Sequence, residues 1–173
     1  MSDRKYTIDE LEILNIKVCC CFYSWCQHEF ILAKSTSFKS APEFIDKFLM
    51  DYYLEKFFHE IFELYKFFKN TKDPNVFHDL VVAEDEYSKL LKVRNKSAHV
   101  DVDMQDRLKS IKEFIKSTKR DNQILDLIVI IKHLRGLLRR AGREHFLVNR
   151  LKAILGLYPP NFINESVLND MLN

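Results

Sequence analysis

Six consecutive residues, Arg94, Asn95, Lys96, Ser97, Ala98 and His99, gather side chains able to act on a phosphodiester. Cleaving RNA requires that the 2′-hydroxyl lose a proton, that the phosphate charge be neutralised and that the leaving 5′-oxygen gain a proton. Histidine is the side chain whose charge changes closest to neutral pH, which suits His99 to act as base or acid. Arginine stays charged and its planar fork matches two phosphate oxygens, which suits Arg94 to grip the phosphate. Asn95 would hold the sugar or phosphate, or cap the next turn, and Lys96 adds a cation for the RNA backbone. On one unbroken helix, residues five apart point about 140° away from each other. Arg94 and His99 therefore converge best if the chain bends at Lys96 to Ser97, with Ser97 as an N-cap and His99 opening the next helix. Taken alone, the same residues also read as an ordinary arginine at a helix end and a histidine in a turn, so the surrounding elements have to decide.

Those elements are expected to be helices. The chain has 173 residues, long enough for a real core, and only three glycines and four prolines. Gly136, Gly142 and Gly156 all fall in the last third, which favours long helices over a turn-rich sheet protein. A formal charge of +2 neither demands nor excludes a nucleic-acid partner, and no uninterrupted apolar run reaches membrane-span length. A cytoplasmic protein without a membrane segment is expected.

Thr7 and Glu10 stand at capping-box spacing and open the first helix, whose apolar positions Ile8, Leu11, Leu14, Val18, Cys19, Phe22, Trp25 and Cys26 recur at three and four residues. Ser40, Pro42 and Glu43 announce a second helix running to about Phe68. Its aromatics cover more than one face, so it is buried on several sides, lies at an oligomer interface or offers rings to bases. His59 and Glu60 would project from its middle toward a site or simply into water. Asp73 and Pro74 read as N-cap and first residue of a third helix, which runs through Phe77, Leu80, Val81, Tyr87, Leu90 and Leu91 to Val93 and delivers Arg94 at its end. A fourth helix follows near Asp103, with Leu108, Ile111 and Ile115 inward. A fifth spans about 121–141 on the stripe Ile124, Leu127, Ile128, Ile131, Leu134 and Leu138, with Gly142 as its stop. A sixth spans about 143–155 and ends at Gly156 and Tyr158-Pro159-Pro160. The expected architecture is all-α, an antiparallel bundle of about five to seven helices. Residues 1–160 form the helical domain, and 161–173 form its tail or a short helix.

Three other groupings compete for a chemical role. Lys132, Arg135 and Arg139, joined by Arg143 if the helix ran on, form a basic stripe that suits an RNA backbone, or that merely favours a helix C-terminus and water. Cys19, Cys20, Cys21 and Cys26 are all the cysteines of the chain. A zinc site would need paired ligands from a second segment, and Cys26 with His28 is an incomplete set, so buried reduced thiols are expected. Glu84, Asp85 and Glu86 splay around a helix and suit a solvated face better than a cation. No metal and no cofactor is expected.

The Arg-x4-His spacing, the polar residue Asn95 after the arginine, and the flanking Leu90-Leu91-Lys92-Val93 and Ala98 resemble the signature of the HEPN superfamily. The resemblance covers about residues 87–103, and beyond them only the helical architecture is similar. It implies a small helical bundle that acts as a metal-independent endoribonuclease, of the kind found in toxin–antitoxin pairs and antiviral defence. It further implies that Arg94, His99 and Asn95 are catalytic, that RNA is the substrate, that two motifs pair in a homodimer, and that an antitoxin or other regulatory partner exists. Some HEPN toxins carry a tyrosine two residues after the histidine and are silenced by nucleotide addition there. This chain has Asp101, so the resemblance does not extend to that control. The alternative is a helical module that binds RNA, a nucleotide or a protein without catalysis.

Overall fold

The backbone of the first helix starts where Thr7 and Glu10 satisfy each other: the Glu10 amide donates to Thr7 Oγ1 at 3.1 Å and the Thr7 amide to Glu10 Oε2 at 2.9 Å. In the computed structural model, which describes residues 6–37, 43–70, 74–81, 87–89, 91–92, 95, 109, 113 and 120–173, this reciprocal cap opens α1, Ile8–Ser37. Helix α2 is Glu43–Asn70, α3 is Pro74–Asp79, α4 is Arg120–Arg140, α5 is Glu144–Leu155 and α6 is Glu165–Leu172. Among the described residues there is no strand, so the protein is all-α.

Helices α1 and α2 form the main packed pair. They run antiparallel, because Tyr6 before α1 stacks on Phe67 near the end of α2, while Tyr23 meets Tyr53 edge to face farther along. Leu11, Leu14, Val18, Cys19, Phe22 and Cys26 turn into the core, as their spacing requires, whereas Ile8 is 57% exposed. Half of the aromatics of α2 go the same way. Phe57, Phe58, Phe62, Tyr65 and Phe68 are buried in the protein's own core, whereas Tyr52 is exposed. Helix α4 packs on α1, α3, α5 and α6, and its stripe Leu127, Ile128, Ile131, Leu134 and Leu138 is buried.

The end of α4 follows from Gly142. Its φ of 69° is left-handed, the Arg143 amide reaches back to the Leu138 carbonyl at 2.8 Å, and the Gly142 amide donates to the Arg139 carbonyl at 3.0 Å. This paired closure satisfies carbonyls that the last turn leaves open, and it folds α5 back beside α4. Gly156, by contrast, keeps a helical φ of −63°, and the left-handed residue before α6 is Asn161 at φ 64°. Phe30 of α1 meets Tyr158 and Phe162 edge to face and fastens this connection. Asn164 caps α6 by accepting from the Ser166 amide at 2.8 Å, and α6 buries Met171. The tail is thus a helix belonging to the common core.

One expected element is corrected. The third helix does not run unbroken from Pro74 to Val93: it ends at Asp79, and Leu80 and Val81 are bends. The Val81 amide, which would continue the helical ladder, donates instead to Asp126 Oδ1 on α4. Val81 and Leu91 are both exposed. Helical backbone resumes at 87–89, 91–92 and 95. Of the expected fourth helix, Lys109 and Glu113 are helical and exposed; Leu108, Ile111 and Ile115 lie outside the described residues.

Candidate functional site

The approach to the motif is held at two points. The first is the bend after α3. Asp126 is fully buried on α4 and accepts from Tyr65 Oη of α2 at 2.7 Å as well as from the Val81 amide, so one carboxylate ties three segments together. A buried carboxylate needs such donors, because its charge is otherwise left without solvent. The second point is Tyr87, whose ring stacks on Phe62 with centroids 5.3 Å apart while Lys69 Nζ lies 4.4 Å from its centroid. These contacts hold Val81 against α4 and Tyr87 against α2.

Beyond Tyr87, Asn95 is helical and exposed. Arg94, Lys96 and His99, together with Ser97 and the expected bend, lie outside the described residues. The carboxylate run Glu84, Asp85 and Glu86 does so as well.

The basic stripe on α4 is described throughout, and it is not an open row of cations. Glu144, in the first turn of α5, accepts from Arg135 Nε at 3.0 Å and Nη2 at 2.8 Å, and from Arg139 Nε at 2.8 Å and Nη2 at 2.7 Å. The Arg139 guanidinium first, and then Arg135, pull the Glu144 carboxyl down from 4.5 to about 2. Arg135 Nη1 also donates to the Met171 carbonyl at 3.0 Å, so Arg135 links α4, α5 and α6. Lys132 Nζ stands 3.8 Å from Asp170 Oδ1, with both side chains more than half exposed. Lys132, Arg135 and Arg139 line an open cleft of about 310 Å³ between α4 and α6, with Asn169, Asp170 and Asn173 opposite. Sequence spacing finds the cations; it misses Glu144, which lies across the Gly142 turn. The acidic residue in the first turn of the following helix is the signal that points to it.

The four cysteines carry free thiols, and three of them are buried. Burial pushes the Cys19 thiol up to about 12 and raises Cys21 and Cys26 as well, which suppresses thiolate chemistry. Cys20 is exposed, and partial desolvation followed by Glu60 raises it too. Glu60 thus faces the cysteine turn of α1, and both it and His59 are half-buried. Among the described residues no group of three or more His, Cys, Asp or Glu side chains could hold a metal ion, and no helix is long and apolar enough to cross a membrane. The chain matches no family model, and no curated protein and no solved structure is significantly similar to it.

Proposed function

We propose that the protein is a metal-independent, HEPN-like endoribonuclease, acting in the cytoplasm as a toxin or antiviral defence effector. The observation that carries this reading is the sequence spacing of Arg94, Asn95 and His99, which follows Val81 and Tyr87, two residues packed on an all-helical core. Arg94 binds the scissile phosphate and offsets the charge that grows on it. His99 moves protons: a base takes the 2′-hydroxyl proton as that oxygen attacks phosphorus, and an acid protonates the departing 5′-oxygen. Asn95 positions the sugar or phosphate. The P–O5′ bond breaks as the P–O2′ bond forms, leaving a 2′,3′-cyclic phosphate and a 5′-hydroxyl. A homodimer supplies two histidines for the two proton transfers.

The test is to incubate the purified protein with total RNA in EDTA, beside the His99→Ala variant. The expected outcome is cleavage that persists in EDTA, leaves 2′,3′-cyclic phosphate ends and falls by about 10²-fold or more in the variant. Full cleavage by His99→Ala would remove the assignment. Loss in EDTA with rescue by Mg²⁺ or Mn²⁺ would redirect it to metal-assisted hydrolysis.

A further inference from the structure

We propose that the cleft between α4 and α6 is a binding site for a phosphomonoester, a role that does not depend on the Arg94 to His99 motif. The argument begins with which donors are already engaged. All three guanidinium nitrogens of Arg135 are used, two on Glu144 and one on the Met171 carbonyl. Arg139 gives Nε and Nη2 to Glu144, which leaves Nη1 for another acceptor. Asn173 Nδ2 donates to Asn169 Oδ1 at 2.9 Å, which fixes the Asn169 amide and leaves its own Nδ2 as a donor. Lys132 Nζ has a single distant partner in Asp170, and an ion pair that long and exposed exchanges readily. Lys132, Arg139 and Asn169, which keep the donors Nζ, Nη1 and Nδ2 for a ligand, therefore line a cleft of about 310 Å³. That volume lies at the small end of ligand pockets, which begin at roughly 300 Å³.

The acids at the same site decide the ligand's charge. Asp170 lines the cleft and Glu144 already occupies the two arginines. A singly charged ligand, such as a carboxylate or the phosphodiester of an RNA backbone, gains nothing over these internal carboxylates. A phosphomonoester is close to dianionic at neutral pH and presents three acceptor oxygens, one for each donor. Glu144 fixes the Arg139 guanidinium through Nε and Nη2 without engaging Nη1, so it assists rather than competes, whereas Asp170 competes directly for Lys132. Free nucleotides and the 5′-phosphate end of an RNA share this chemistry.

The Asn169 and Asn173 side-chain amides report on the cleft by NMR. Titration with inorganic phosphate or 5′-AMP should shift them saturably, and dimethyl phosphate, a singly charged diester, should bind at least several-fold more weakly. Lys132→Ala should weaken 5′-AMP by about three- to tenfold, the scale of one exposed charge contact, and Asp170→Asn should tighten it. Both replaced side chains are exposed, so the fold is not at stake. A 2′-O-methyl oligonucleotide, which lacks the nucleophile for cleavage, separates the sources. Tighter binding of its 5′-phosphorylated form than of 5′-AMP assigns an RNA end, and equal or weaker binding assigns a free nucleotide. Absence of saturable shifts, equal binding of dimethyl phosphate, or an affinity indifferent to Lys132→Ala overturns the proposal.

Discussion

Arg94 combines two properties that substitution can separate, a fixed positive charge and a planar fork that meets two oxygens at once. Removing both in Arg94→Ala should lower kcat/KM on RNA by about 10²-fold or more, the scale of losing a positioned charge stabiliser. Arg94→Lys keeps a point charge without the fork and should fall between the variant and the parent. Activity equal to the parent in the lysine variant would reduce the role to bulk attraction of RNA. A second residue-scale prediction concerns the buried triangle of Tyr65, Asp126 and Val81. Tyr65→Phe preserves the ring but removes the donor to Asp126 Oδ2 at a position closed to water. The cost should be about 1–3 kcal/mol, read as a lower urea midpoint with an unchanged slope. An unchanged midpoint would show that Asp126 gains nothing from the phenol. Neither partner stands out by sequence. Tyr65 is one aromatic among many on α2, and Asp126 only interrupts an apolar stripe, since a hydrogen bond across 61 positions leaves no local periodicity.

At the scale of helices, the joint between α4 and α5 rests on a turn and an ion pair that depend on each other. The left-handed Gly142 sends the chain back, and the reversal places Glu144 against Arg139 and Arg135, five and nine positions earlier. Glu144 is held at about 2 against an ordinary 4.5, so its charge favours the folded state wherever it is ionised in the unfolded chain. That contribution is complete above pH 4.5 and disappears as pH falls toward 2. The difference in Tm between the parent and Glu144→Gln should therefore be largest near neutral pH, narrow between pH 4.5 and 2, and shrink in high salt. A gap constant with pH would mean that Glu144 acts through packing alone. The same joint shows how far local signals reach. The Thr7 and Glu10 cap and the Gly142 stop are local chemistry, and both are legible from residue types a few positions apart. The end of α3 is not, because the Val81 amide is captured by a carboxylate 45 residues away while the apolar spacing continues past it. The motif is legible as residue types at a spacing. The engagement of Arg135 and Arg139 by Glu144 is not, because helical periodicity predicts a face and says nothing of what a turn folds onto it.

For the whole molecule, the proposed reaction needs a base and an acid, and each motif supplies a single histidine, His99. Two chains related by a twofold axis would present two motifs to one cleft, and an isologous contact does so without any further residue. Of the aromatics of α2, Phe57, Phe58, Phe62, Tyr65 and Phe68 are consumed in the protein's own core, while Tyr52 is 45% exposed and open to such a contact. An interface without the buried rings is more polar and less tightly held than an obligate one, so it should dissociate at concentrations that dilution can reach. Light scattering should then show a species of about twice the 20.7 kDa chain mass that gives way to monomer on dilution. Specific ribonuclease activity should fall over the same concentration range, since each monomer retains only half of the acid and base pair. Mixing the parent with excess His99→Ala chains should depress activity further, because mixed dimers carry one histidine in place of two. Undiminished specific activity in a preparation shown to be monomeric would dissolve the composite site and require His99 to act alone or with a base from its own chain.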